Sequence, residues 1–178
     1  KAVHQLHNGI YYIRKALSEY SISKAQICIS GSYCLKLGDV DCDVALFEKY
    51  MAENKELSVS ELEHITSIYK GDYFAGEDWV WIDYDREVFL RHYSNAMIRL
   101  AEKYLTGRQA EKAELILLKA FNINPYEENI TALLMELYKA SGKKAEAAKH
   151  YKAFEKLLKQ DLGIYPSDKI RESFYSIN

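Results

Sequence analysis

Seven side chains near the start of the chain, His4, His7, Asn8, Tyr11, Tyr12, Arg14 and Lys15, are rich in hydrogen-bond donors and include no acid. Such a set suits a nucleic acid. Arg14 and Lys15 are expected at phosphates, and His7, Asn8, Tyr11 and Tyr12 are expected near base edges or sugars, with His4 beside them. Asparagine pairs bidentately with adenine, and tyrosine donates to phosphate or packs on a thymine methyl. A plain solvated helix face accounts for the same residues, and packing against a second domain accounts for the two tyrosines. Both alternatives stay open at this level.

The other reactive residue types lead less far. His4 and His7, with Cys28 or Cys34, could donate to a metal, but zinc needs four convergent ligands and the cysteines lack the usual close pairing. Asp39, Asp41 and Asp43 alternate like the start of a calcium loop. Its sixth position should be glycine and is Val44, and its twelfth should be glutamate and is Tyr50. Trp79 and Trp81, with Tyr73, Phe74 and Tyr84, could line a ligand pocket, but they are expected to form the core joining the middle of the chain to its second half. Asp72, Glu77, Asp78, Asp83 and Asp85 around them form either a solvated rim or a docking surface for a basic partner. The chain has no Gly-x-Ser-x-Gly elbow, no phosphate loop and no His-Glu-x2-His helix, so neither an enzyme nor a resident cofactor or metal is expected.

The elements that must carry these residues follow from periodicity. Val3, Leu6, Ile10, Ile13 and Leu17 recur at spacings of three and four, which predicts a helix of about five turns with one buried face. After Ser21 to Ala25, two alternating runs flank Ser30-Gly31-Ser32 and predict a β-hairpin, with Ile27, Ile29, Tyr33, Leu35 and Leu37 on one face and Cys28, Cys34 and Lys36 on the other. A polar-faced helix followed by a hairpin is the order of the last half of a winged helix. Helices are expected over residues 41 to 57, with Val44, Phe47, Tyr50 and Met51 on one side, and over 60 to 70, with Leu62, Ile65, Ile68 and Tyr69. The run from Gly71 to Trp79 mixes turn formers with aromatics and reads as an ordered loop packed by its rings. Everything beyond it is expected to be helical.

A shift of 34 residues superimposes the second half on itself: Leu100 falls on Leu134, Tyr104 on Tyr138, Ala113 on Ala147, Leu117 on Tyr151 and Ala120 on Phe154. Asn124-Pro125 closes the first unit, because proline cannot continue a helix. Gly107 and Gly142 fall at the turn inside each unit, though 35 residues apart. This is a tetratricopeptide pattern of about two helix pairs, an architecture whose stacked groove binds partners.

Bulk properties agree with a folded chain. It has 178 residues, 48% hydrophobic and 28% charged, with two prolines, which excludes disordered and collagen-like classes. The net charge of −2 conceals an asymmetry: residues 1–38 carry five basic groups against one acidic, 39–87 four against fourteen, and 88–178 fifteen against eleven. A basic start is what a phosphate-binding surface needs. Three unevenly spaced cysteines fit reduced thiols in a cytoplasmic protein. No apolar run approaches the roughly 20 residues of a membrane span, and no secretory leader is recognisable. A chain that starts at Lys1 is expected to be a piece of a longer protein.

Taken with their order, these residues resemble the bacterial transcriptional activator domain family, found in antibiotic-pathway regulators and related response regulators. The resemblance rests on the stretch from Leu6 to Leu17, on Gly31-Ser32-Tyr33, and on Asp41 ahead of Phe47. It continues through Tyr69-Lys70-Gly71-Asp72-Tyr73-Phe74, Asp78-Trp79-Val80 and Arg86. Asn124-Pro125-Tyr126-Glu127-Glu128, Leu134-Met135 and Leu162-Gly163-Ile164-Tyr165-Pro166-Ser167 complete it. One residue separates Gly31 from Tyr33, where the family has Gly-Tyr.

The resemblance implies a mostly α fold: a tetratricopeptide-like repeat domain over 39–178, preceded over 1–38 by a partial winged helix made of a recognition helix and a β-hairpin wing. It implies a dimeric or oligomeric activator that binds direct repeats of promoter DNA in the intact protein and contacts RNA polymerase or another protein. The missing helices of the winged helix would leave an apolar face uncovered, so the piece is expected to bind DNA poorly alone. The alternative is a protein-interaction module that does not touch DNA.

Overall fold

Apolar spacing and the chemistry at helix ends account for most of the elements. The computed structural model describes residues 2–19, 26–29, 33–36, 42–52 and 56–176, with side chains at 3–19, 42–52 and 56–176. The chain divides into two units, Lys1–Glu53 and Asn54–Asn178.

The first unit contains helix α1 (Ala2–Glu19), strands β1 (Gln26–Ile29) and β2 (Tyr33–Lys36), and helix α2 (Asp43–Ala52). The strands pair antiparallel, with Gln26 opposite Lys36, Ile27 opposite Leu35, Cys28 opposite Cys34 and Ile29 opposite Tyr33. Helix α1 lies against β1. Ile10 of α1 and Phe47 of α2 are buried. The Ser30-Gly31-Ser32 centre, Leu37, Asp39, Asp41 and the side chains of both strands, Cys28 and Cys34 among them, lie outside the described residues.

The expected partial winged helix is corrected by this arrangement. Among the described residues, strand is confined to eight that pair only with each other, and the rest of the regular structure is helical. A two-stranded ribbon is marginal without further strands or a packed helix layer. Val3, Leu6 and Ile13 of α1 are 64%, 48% and 48% exposed, so the apolar stripe of this helix is largely uncovered. Over the described residues the structure is a helical fold with one short strand pair.

In the second unit, α3 (Val59–Ile68) opens on a capping box: the Ser58 hydroxyl accepts from the Glu61 amide and the Glu61 carboxylate accepts from the Ser58 amide at 2.8 Å. Two backbone donors with no intrahelical partner are satisfied this way. Leu62 and Ile65 are buried, and α3 packs on α4 (Asp83–Thr106). Then come α5 (Ala110–Ile123), α6 (Glu128–Ala140), α7 (Lys144–Asp161) and α8 (Asp168–Tyr175). Each of α4 to α7 packs on the next, and α8 closes against α6 and α7.

The repeat sets this core. All ten residues related by the 34-residue shift, from Leu100 and Leu134 to Ala120 and Phe154, are buried. The small members admit close helix approach and the large ones fill the layer, each fully buried Leu contributing roughly 1.5–3 kcal/mol. The turns repeat as well. Gln109 donates its amide to the Tyr104 carbonyl at 2.8 Å, and Lys143, 34 residues on, donates to Tyr138 at 2.8 Å. The left-handed residue in each turn is Arg108 (φ 56°) and Gly142 (φ 70°). These are 34 apart, so the equivalent of Gly142 is Arg108, and Gly107 is its neighbour.

Candidate functional site

All seven residues singled out for nucleic-acid contact lie on α1 and are exposed. At about 3.6 residues per turn they occupy an arc of about 160°, complementary to the stripe of Val3, Leu6, Ile10, Ile13 and Leu17. The helix brings them together. Tyr11 and Tyr12 meet edge to face at 5.6 Å. Lys15 lies 3.9 Å from Glu19, one turn on, an exposed pair of little energetic weight.

The middle of the chain departs from expectation. Residues 71–79 form an irregular loop with a turn at 73–76, and Val80–Ile82 forms a 3-10 turn leading into α4. Four of the five rings expected to be core are at the surface: Trp79, Trp81 and Tyr84 are 44%, 62% and 74% exposed and Phe74 is exposed as well, as is the aliphatic Val80 at 85%. The indoles of Trp79 and Trp81 stack at 5.7 Å with planes 16° apart, and Phe74 stands against both at 5.6 and 6.1 Å. Of the rings expected in the core, half-buried Tyr73 does join this segment to the repeat, together with aromatic residues outside that set. Tyr73 meets Phe89 at 5.1 Å, Tyr69 stacks on buried Tyr93 at 4.1 Å, and Ile82 is buried beneath.

Arg86 holds the loop in place. Its Nε donates to the Tyr73 carbonyl at 2.8 Å, and one terminal nitrogen donates to the carbonyls of Phe74 at 2.7 Å and Glu77 at 2.6 Å. The other terminal nitrogen reaches the Asp83 carboxylate at 3.2 Å. Only a planar, forked cation satisfies so many acceptors at once. Phe74 adopts φ 49°, a left-handed backbone that costs a bulky residue energy and persists only where its surroundings dictate it. The sequence carried a signal for this role: Arg86 is the one cation between residues 72 and 87, among six acids.

Polar side chains tie the helices together. The Tyr104 hydroxyl donates to Glu63 at 2.5 Å across α4 and α3, and burial together with that carboxylate pushes its pKa up to about 12. Tyr69 rises to about 12 through burial and the charge of Asp72, to which it donates at 3.2 Å. Two motifs far apart in sequence also meet. Tyr126 donates to Asp161 at 3.0 Å, the Ser167 amide donates to Glu128 at 2.8 Å, and Pro166 is buried at this junction. Among the described residues, no three His, Cys, Asp or Glu side chains converge on a point that would hold a metal.

Stacked helix pairs and a closing helix define a helical-repeat protein of tetratricopeptide-like architecture. The bacterial transcriptional activator domain family matches residues 42–177, and the chain belongs to that family. The match begins after the strand pair, so α1 and the ribbon lie outside it.

Among solved structures, the chain is similar to EmbR from Mycobacterium tuberculosis, determined in complex with a low-affinity phosphopeptide. The TM-score is 0.74 at 20% identity, over 99% of this chain and 49% of that one. At this identity the likeness establishes the fold, and the chain spans about half the length of that protein. Comparison with curated proteins finds no match. No helix among the described residues is long and apolar enough to cross a membrane.

Proposed function

We propose that this chain is the effector part of a DNA-binding transcriptional regulator. In this reading residues 1–38 serve the DNA: α1 meets double-stranded promoter DNA in the intact protein, with Arg14 and Lys15 at phosphates and His4, His7, Asn8, Tyr11 and Tyr12 towards base edges or sugars. Residues 39–178 supply surfaces for a second copy, for RNA polymerase or for a regulatory domain. The observation that carries the reading is the α1 face itself: seven exposed donor-rich side chains share one arc, on a helix whose only acid is Glu19. Membership of an activator-domain family supports the protein-contact half.

An electrophoretic shift assay of the full-length protein on its own promoter region tests the DNA half. Arg14→Ala is expected to weaken binding evenly across sequences and to lower the salt slope by about one. An unchanged salt dependence removes Arg14 from the phosphates. The exposed Val3, Leu6 and Ile13 favour a second reading, in which α1 is scaffold or a protein-docking surface. Absence of any shift with intact, folded protein would decide for that reading.

A further inference from the structure

We propose that the surface formed by Phe74, Trp79, Val80, Trp81 and Tyr84 docks an arginine-bearing peptide segment of a partner protein. The inference rests on the protein-contact half of the proposed function and names the surface that performs it.

Three observations lead here. The first is exposure: Phe74, Trp79 and Trp81 form a mutually packed cluster of rings that faces solvent, with Val80 and Tyr84 exposed on the residues next in sequence, apolar surface of the kind that marks interaction sites.

The second is preorganisation. Arg86 binds three backbone carbonyls of the loop, and Phe74 is held in a left-handed conformation, so the rings are kept outward instead of collapsing onto the core. A surface already ordered before binding loses less entropy when a partner arrives.

The third is charge. Asp72, Glu77, Asp78 and Asp83 are exposed at the rim, and Asp85 is half-buried. The one cation of the segment, Arg86, binds the loop carbonyls and pairs with Asp83, which leaves Glu77 and Asp78 as the exposed charges flanking Trp79. The patch is therefore apolar in the middle and negative at its edge. It repels the phosphates of a nucleic acid and favours a guanidinium, whose plane stacks on an indole while its N–H groups reach carboxylates. Neutral apolar partners would make no use of the rim.

The test uses the full chain and a short synthetic peptide of alternating arginine and leucine, with a counterpart in which every arginine is glutamine. Binding is followed by tryptophan fluorescence and by calorimetry at near-physiological salt, without DNA, so failure here leaves the α1 reading untouched. The arginine peptide is expected to bind and the glutamine peptide to bind at least about tenfold more weakly, the loss of roughly one charge-assisted contact.

A Trp79→Ala, Trp81→Ala double variant keeps every charge and is expected to weaken the arginine peptide by about tenfold or more with an unchanged circular dichroism spectrum. Glu77→Gln with Asp78→Asn should weaken it as well. Equal affinity for the two peptides, or an unchanged affinity in the tryptophan variant, overturns the proposal. So does self-association in sedimentation equilibrium that Trp81→Ala abolishes, since the occupant would then be a second copy of this chain.

Discussion

Arg86 spends its charge on the backbone of its own chain. Half-buried, it replaces the hydrogen bonds that a regular element would give the carbonyls of Tyr73, Phe74 and Glu77. Arg86→Ala leaves those acceptors to water and is expected to cost about 2 kcal/mol. Arg86→Lys should recover little, because an ammonium on a flexible stem cannot fork across the three. Urea unfolding of both variants measures this, and full recovery by lysine would contradict the geometry.

His150 is the other residue-scale case. Its Nε2 is buried without a hydrogen-bond partner among the described residues, its ring meets Phe121 at 4.7 Å, and burial holds its pKa below the ordinary 6.5. The unfolded chain takes up this proton near 6.5 while the folded chain resists it. The stability linked to His150 is thus complete above that value and declines as pH falls from it through the lower folded value. His150→Leu should reduce the difference in urea midpoint between about pH 7.5 and about pH 5. An unaltered difference would show that His150 does not titrate in this window.

At the scale of elements, the turn inside each helix pair is one design used twice with unequal residues. Gly142 takes its left-handed conformation freely, whereas Arg108 adopts φ 56° with a full side chain. Arg108→Gly is expected to raise stability by about 1 kcal/mol, and Gly142→Ala to lower it by a similar amount. A Cβ at residue 142 would meet nothing within 4 Å, so that loss would come from the backbone alone. Thermal unfolding of the two variants, which should shift in opposite directions, checks the pairing. The apolar spacing of α3 to α7 was legible because these helices bury one face against a neighbour. The spacing of α1 is as regular, but periodicity reports amphipathicity and does not say what covers the apolar side.

At the scale of the molecule, the chain consists of two units, and its hydrophobic core lies mainly in the second. The segment 54–178 contains all of α3 to α8 and every buried position of the repeat. Produced alone, it is expected to unfold cooperatively with a midpoint close to that of the whole chain, as measured by circular dichroism during urea titration. A broad, non-cooperative transition would mean that the first unit is required for the core.

By itself the sequence determined the helical repeat and its period. A residue buried between stacked helices must be apolar and of the right size, and that requirement recurs wherever the same contact recurs. All five pairs related by 34 residues are accordingly buried. Only the tertiary structure decided the fate of the aromatic segment. Phe74, Trp79, Trp81 and Tyr84 have the composition of a core, and side-chain hydrophobicity alone does not separate a buried cluster from one held outward. What separates them is a guanidinium 9 to 13 residues further along the chain, bound to the loop's carbonyls.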